Sequence, residues 1–146
     1  MIASLTFTIP GKPSTRHRGK RFGKGQRSSY RDPVYEVWKA TVAMYAQHAK
    51  PRGWPMHARG PRGGKRPMLY AVTIVGYYTG AGYDADNLRG IPDALEGVLW
   101  PNDRRVKPVT YDCRHTDGAD RVEVEAIAWD PSKGRMRPWF EWEGER

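Results

Sequence analysis

The chain has 146 residues and a net charge of +9, with 28% charged and 38% apolar residues and a mean hydropathy of −0.78. That is the size of one domain, and six Trp and eight Tyr supply large side chains for a core, so a fully disordered chain is excluded. A single cysteine, Cys113, excludes an internal disulfide. No stretch approaches the ~18 apolar residues of a membrane span and the N-terminus lacks a secretory leader pattern, so a soluble cytoplasmic protein is expected.

Ala3 to Ile9 alternates, with Leu5, Phe7 and Ile9 on one face and Thr6 and Thr8 on the other, which predicts a short strand. Pro10, Gly11 and Pro13 end it. Lys12 to Arg31 holds eight basic residues and no acid, and its Gly and Ser content predicts a mobile loop. Asp32-Pro33 has the chemistry of a helix start: a capping carboxylate followed by a proline that is tolerated at the first position. Val34, Val37, Trp38, Thr41, Val42, Tyr45 and Ala49 then recur at helical spacing and predict the buried face of that helix. Lys50 to Pro67 reads as a second loop, with six basic residues and no acid.

Leu69 to Tyr78, LYAVTIVGYY, is apolar at nearly every position, as in a central strand covered on both faces. Gly80 to Gly82 forms a turn. Ile91 to Trp100 reads as helical, with Ile91, Leu95, Val98 and Leu99 on one side and a kink or late start near Pro92. Val106 to His115 and Arg121 to Trp129 read as two strands joined by a hairpin-type connection, Thr116 to Asp120. The order β-α-β-α-β-β predicts an α+β domain, a small mixed sheet with packed helices, over residues 1–129. Residues 130–146 form a polar tail containing Trp139, Phe140 and Trp142.

Charge is segregated along the chain. Residues 1–66 carry fifteen Lys or Arg against Asp32 and Glu36, a balance of +13, and the remainder carries ten against fourteen acids, a balance of −4. A basic half of this kind predicts a polyanionic partner, nucleic acid. Lys12, Arg16, Arg18, Lys20, Arg21 and Lys24 lie close enough together to follow a phosphate backbone, and Arg104 and Arg105 are candidate phosphate clamps. His17, His48, His57 and His115 have no metal-ligand spacing.

Against that background Asp84, Asp86, Asp93, Glu96 and Asp103 crowd into Tyr83 to Val106, YDADNLRGIPDALEGVLWPNDRRV. In extended chain, residues two apart face the same way, so Asp84 and Asp86 can aim at one spot. Carboxylates about 4 Å apart repel by roughly 4 kcal/mol at an effective dielectric near 20, and a Lys, an Arg or a divalent cation would offset that repulsion. Mg²⁺ takes oxygen ligands of this kind together with substrate phosphate. Asp-x-Asp-Asn after a strand is also the chemistry of a helix cap, and these residues alone leave both readings open.

The stretch DADNLRGIPDALEGVLWPNDRRV resembles the signature of the RusA family of Holliday junction resolvases: Asp-x-Asp-Asn-Leu, a helix with Asp-Ala-Leu, then Trp and a further Asp before an aliphatic residue. FTIPGKPSTRHRGKR is similar to the start of those proteins, and the likeness spans most of residues 5–129. The resemblance implies a RusA-like fold and a homodimeric, Mg²⁺-dependent endonuclease, with Mn²⁺ as a possible substitute, that resolves four-way DNA junctions by paired phosphodiester hydrolysis in a bacterial or phage-infected cell. It implies Asp84, Asp86 and Asp103 as metal ligands, with Asn87 and Asp93 in support. The family's usual Lys after Asp-x-Asp-Asn has no counterpart, and Arg89 is the nearest cation to act in its place. The alternative expectation is a module that binds branched DNA or RNA without cutting it.

Overall fold

Alternation decides the first strand: along β1 (Ala3–Pro10), Leu5, Phe7 and Ile9 are buried and Ser4, Thr6 and Thr8 face solvent. The computed structural model describes residues 3–14, 19–20, 29–30, 32–59 and 62–133. In chain order the further elements are β2 (Gly19–Lys20), β3 (Ser29–Tyr30), α1 (Pro33–Ala49), β4 (His57–Arg59), β5 (Lys65–Pro67), β6 (Leu69–Tyr78), α2 (Gly90–Leu95), β7 (Val106–His115) and β8 (Arg121–Trp129), with short 3-10 turns at Ala85–Leu88, Asp103–Arg105 and Pro131–Lys133. Among the described residues, no helix is long and apolar enough to cross a membrane.

The domain is α+β, with four strands in the order β1-β8-β6-β7. β8 runs antiparallel to both β1 and β6, while β7 runs parallel to β6. This corrects the expected hairpin. β7 and β8 do not pair with each other; each takes one side of β6, and Thr116 to Asp120 crosses the end of that strand. The cause is the apolar run of β6, which needs a hydrogen-bonded neighbour on both sides to bury its backbone. β7 can occupy an edge because much of it is polar and exposed, and Pro108 and a register shift sit near its start.

Asp32 caps α1, its carboxylate accepting from the Val34 N–H at 2.8 Å, and the helix stops before Pro51. The predicted stripe is rotated, however. Tyr35, Val42 and Ala46 are the buried residues, whereas Val34 and Val37 are 51% and 67% exposed. Helical spacing alone does not choose between adjacent apolar stripes; the large rings of Tyr35 and Trp38 decide the docked side by packing next to α2.

Two stretches expected to be loop carry structure. The backbones of β2 and β3 pair inside the first basic segment, and β4 pairs with β5 inside the second. The second segment also supplies core. Trp54 is buried and donates its Nε1–H to the Leu99 carbonyl at 2.8 Å, and the Tyr70 hydroxyl donates to the Pro55 and Met56 carbonyls at 2.7 and 3.0 Å. Trp54, Tyr70 and Trp100 form a run of neighbouring rings. The segment from residue 50 is thereby pinned to Leu99, four residues before Asp103.

The expected helix Ile91 to Trp100 is likewise shorter. α2 ends at Leu95, and Gly97 has φ +83°, a left-handed conformation that glycine adopts without a Cβ clash. The Gly97 N–H bonds the Trp100 carbonyl at 2.7 Å, so residues 96–100 form a tight turn. Arg16, His17, Arg18, Arg21, Phe22, Lys24, Trp139, Phe140 and Trp142 lie outside the described residues.

Candidate functional site

The acids sit on a segment that leaves β6, folds back over the sheet and returns as β7. At its start, three parts of the chain are tied together by Asp120. Its carboxylate accepts from the Thr79 N–H at 2.7 Å and the Thr79 hydroxyl at 3.0 Å, and its carbonyl accepts from Gly11 N–H at 2.8 Å. The Thr79 backbone hydrogen bond, with smaller help from the Thr79 hydroxyl and Lys12, holds this carboxyl below the ordinary carboxylate range. Lys12 Nζ lies 3.8 Å from Asp120 and donates to the Ala81 carbonyl at 3.4 Å. The root of the basic segment is therefore attached to the turn that precedes Asp84.

Gly80 to Gly82 then reverses the chain, and the Tyr83 ring lies directly over Gly76. Burial pushes the Tyr83 hydroxyl up to about 12. The Ala85–Leu88 turn is held by Asn87 N–H on the Asp84 carbonyl at 3.0 Å and Arg89 N–H on the Asp86 carbonyl at 3.2 Å, with Leu88 buried beneath it. Asp84 stands at the capping position, yet its side chain makes no cap hydrogen bond. The capping alternative therefore does not apply to this carboxylate. Asp84 is exposed, and its charge adds, after burial and Asp112, to the forces that raise the Cys113 thiol pKa. Asp86 pairs with Arg89, Nε to Oδ1 at 2.8 Å, and that guanidinium lies 5.9 Å from the centre of the Tyr111 ring. Arg89 thus reaches the solvent edge of the site already fastened to one of its acids.

A second group forms further along. Asp93 and Glu96, at the end of α2, are joined by Asp103 at the start of its turn, and one carboxylate oxygen from each lies within 4.8 Å of the others. The spacing of three positions puts Asp93 and Glu96 on one side, and the tight turn at Gly97 brings Asp103 back to them. Asn102 sets that return by capping, its side chain accepting from the Arg104 N–H at 2.9 Å. Lys39 from α1 pairs with Asp93 at 2.7 Å. All three carboxylates are exposed, and an all-oxygen set of this kind suits a hard divalent cation.

The structure therefore divides the five acids. Asp103 converges with Asp93 and Glu96, whereas Asp84 and Asp86 belong to no such group of three among the described residues. Parallel pairing of β6 and β7 contributes to this division. Val106 starts opposite Tyr70 at the beginning of β6, while Asp84 follows its far end and comes back by the fold of Tyr83 over Gly76.

Asn87 contributes its backbone N–H to the turn, and Asp93 links α2 to α1. Arg104 and Arg105 are exposed beside Asp103. Lys20 is placed only as backbone in β2. Sequence reasoning counts Glu96 in the acidic cluster without giving it a role, and does not reach Lys39 or Tyr83. For Glu96 the i, i+3 spacing from Asp93 was a usable signal; for Lys39 and Tyr83 no local pattern names the partner. No protein-family model matches the chain, and no curated protein matches it.

Proposed function

We propose that this protein is a Mg²⁺-dependent, structure-selective DNA endonuclease that resolves four-way junctions, acting as a homodimer. The observation that carries the reading is the uncommitted carboxylate of Asp84, exposed beside Asp86 and Arg89 on a chain of net charge +9. A protein whose partner is a polyanion gains nothing in affinity from exposed acids; acids there make sense as holders of a cation that meets the phosphate. The ligands in this reading are Asp84, Asp86 and Asp103, with Mn²⁺ as a substitute metal and Asn87 and Asp93 in support. Because Asp103 converges with Asp93 and Glu96 in the structure, the reading requires Asp103 to be drawn toward Asp84 and Asp86 when the cation and phosphate bind. When bound, such a cation supplies Lewis-acid activation of water and neutralises charge that builds on the phosphate.

The chain's own groups do the rest. Arg89, held at Asp86, presents a guanidinium fork to a phosphate oxygen, a bidentate grip that a lysine does not offer. Arg104 and Arg105 clamp the adjoining phosphate, and Lys12 with Arg16, Arg18, Lys20, Arg21 and Lys24 follows the backbone of a junction arm.

The test is an end-labelled four-way junction incubated with purified protein, with Mg²⁺ or with EDTA, alongside linear duplex and single-stranded RNA. Paired nicks confined to the junction and dependent on Mg²⁺ are expected. Binding without nicks under Mg²⁺ or Mn²⁺ overturns the reading. It would favour the second one, a non-catalytic binder of branched nucleic acid, for which the ion pairs Lys39–Asp93 and Arg89–Asp86 speak: protein cations already balance two of the acids.

A further inference from the structure

The Asp84-bearing segment is seated by two glycine–tyrosine contacts, one at each end. At its start, Tyr83 covers Gly76, near the end of β6, an interior strand of the sheet. A Cβ built on Gly76 would overlap the ring, reaching Cε2 at 2.8 Å and Cζ at 2.9 Å and meeting the hydroxyl oxygen closer still. Real Cβ atoms do not approach so closely, so this seat exists only because residue 76 has no side chain. At the other end, a Cβ on Gly90 would run into the Tyr35 hydroxyl, and it would stand 3.3 Å from Trp38 Cζ3. Both rings come from outside the turn itself, Tyr83 from the residue just before Asp84 and Tyr35 from α1.

The Tyr83 hydroxyl is buried and has no hydrogen-bond partner among the described residues. An unpaired buried hydroxyl costs free energy, so Tyr83 stays seated through the packing of its ring, which also meets Tyr78 edge-on at 5.9 Å between centroids. Between the two seats run only Asp84, the Ala85–Leu88 turn and Arg89, a single short 3-10 turn flanked by the bonds Asn87 N–H to Asp84 and Arg89 N–H to Asp86. A turn this short does not hold its shape alone.

We infer that Tyr83 is a positioning residue: its ring, locked into the notch at Gly76, fixes where the Asp84 and Asp86 carboxylates stand, with Tyr35 on Gly90 fixing the far end. This deepens the nuclease reading and rests on it for what the carboxylates do. It also explains an otherwise costly feature, a glycine near the end of β6, where a side chain would be expected to pack.

The test uses Gly76→Ala, Tyr83→Ala and Tyr83→Phe in the full chain, with two readouts. Hydrogen exchange at the Asn87 and Arg89 amides reports the turn, with the β6 and β8 amides as a folding control. Junction nicking reports kcat and KM separately. Gly76→Ala and Tyr83→Ala are expected to speed exchange at Asn87 and Arg89 while the sheet amides stay protected. They are also expected to lower kcat by about a hundredfold with KM for the junction unchanged, the scale on which a misplacement near 1 Å acts. Tyr83→Phe keeps the ring and is expected to match wild type in both readouts. If Gly76→Ala perturbs the sheet itself, Tyr83→Ala, which leaves β6 intact, decides. Wild-type exchange at Asn87 and Arg89 in Tyr83→Ala overturns the inference, as does a Tyr83→Phe defect as large as that of Tyr83→Ala. Absence of nicking by the wild-type protein would remove the nuclease reading alone, and the exchange arm would then decide the positioning role.

Discussion

Two acidic groups lie within twenty residues of each other, Asp84 with Asp86 and Asp93 with Glu96 and Asp103, and they are built in opposite ways. The first is placed by its backbone: a turn at the end of β6, a ring seated in the sheet, and a carboxylate at Asp84 left free of any cap. The second is placed by convergence of α2 with a separate turn. Each group has one acid answered by a protein cation, Asp86 by Arg89 and Asp93 by Lys39. What differs is that the second brings three carboxylates together around one point, whereas the first leaves Asp84 without a cap beside a single ion pair.

Asp103 gives the largest expected effect, because it joins the second group by geometry and the first by the proposed chemistry. Asp103→Asn should lower the nicking rate by about a thousandfold, on the scale of losing one preorganised electrostatic contact to a transition state, while gel-shift binding of the junction persists. Loss of binding together with nicking would instead point to a structural role.

The comparison is sharpened most by Asp84→Asn set against Asp93→Asn and Glu96→Gln. Asp84→Asn should cost at least about a hundredfold and the other two about tenfold each, the size of effects on groups that support a metal ligand. The reverse order, measured by nicking rate and by Mn²⁺ affinity, would make the convergent group the functional one. Lys39→Met should act more gently. A partly exposed ion pair contributes about 0.2–1 kcal/mol, so freeing Asp93 should raise Mn²⁺ affinity by no more than about fivefold. Unchanged affinity would place the cation away from Asp93.

The smallest effect concerns Asp120, which ties the Asp84 end of the sheet. Its folded-state pKa is depressed, chiefly by the Thr79 N–H, so the unfolded chain takes up this proton at a higher pH than the folded one. Its contribution to stability is therefore present above the ordinary carboxylate pKa near 3.9 and is lost as pH falls through the lower folded value. Asp120→Asn should melt with a shallower dependence on pH in the acid range than wild type does. Parallel melting curves would show that the carboxylate's charge plays no part in the tie.

How much of this was legible beforehand varies with the range of the forces involved. The start of α1 was, because Asp32 and Pro33 act within one turn of themselves. The strand character of β1, β6, β7 and β8 was also, since alternation and apolar runs are local. Trp54 was not: it stands in a basic, Pro- and Gly-rich segment, and its burial depends on the Tyr70 ring and the Leu99 carbonyl, both distant in sequence. Nor was the exposure of Val34 and Val37, because α1 carries enough apolar residues to dock by more than one face. At the candidate site, the crowding of acids was visible in the sequence, but their division into two groups was not.

Local pattern suffices for the strand character of β1, β6, β7 and β8, the Asp32 cap of α1, the segregation of charge and the density of carboxylates between Tyr83 and Val106, all of which follow from neighbours a few positions apart. Tertiary structure alone decided that β8 enters between β1 and β6, that Lys39 meets Asp93, and that Tyr83 sits on Gly76. The physical reason is shared. Strand pairing, ion pairing and ring packing depend on which surfaces meet when the core closes, and a backbone hydrogen-bonding edge, a carboxylate or an aromatic face carries no local mark of its eventual partner.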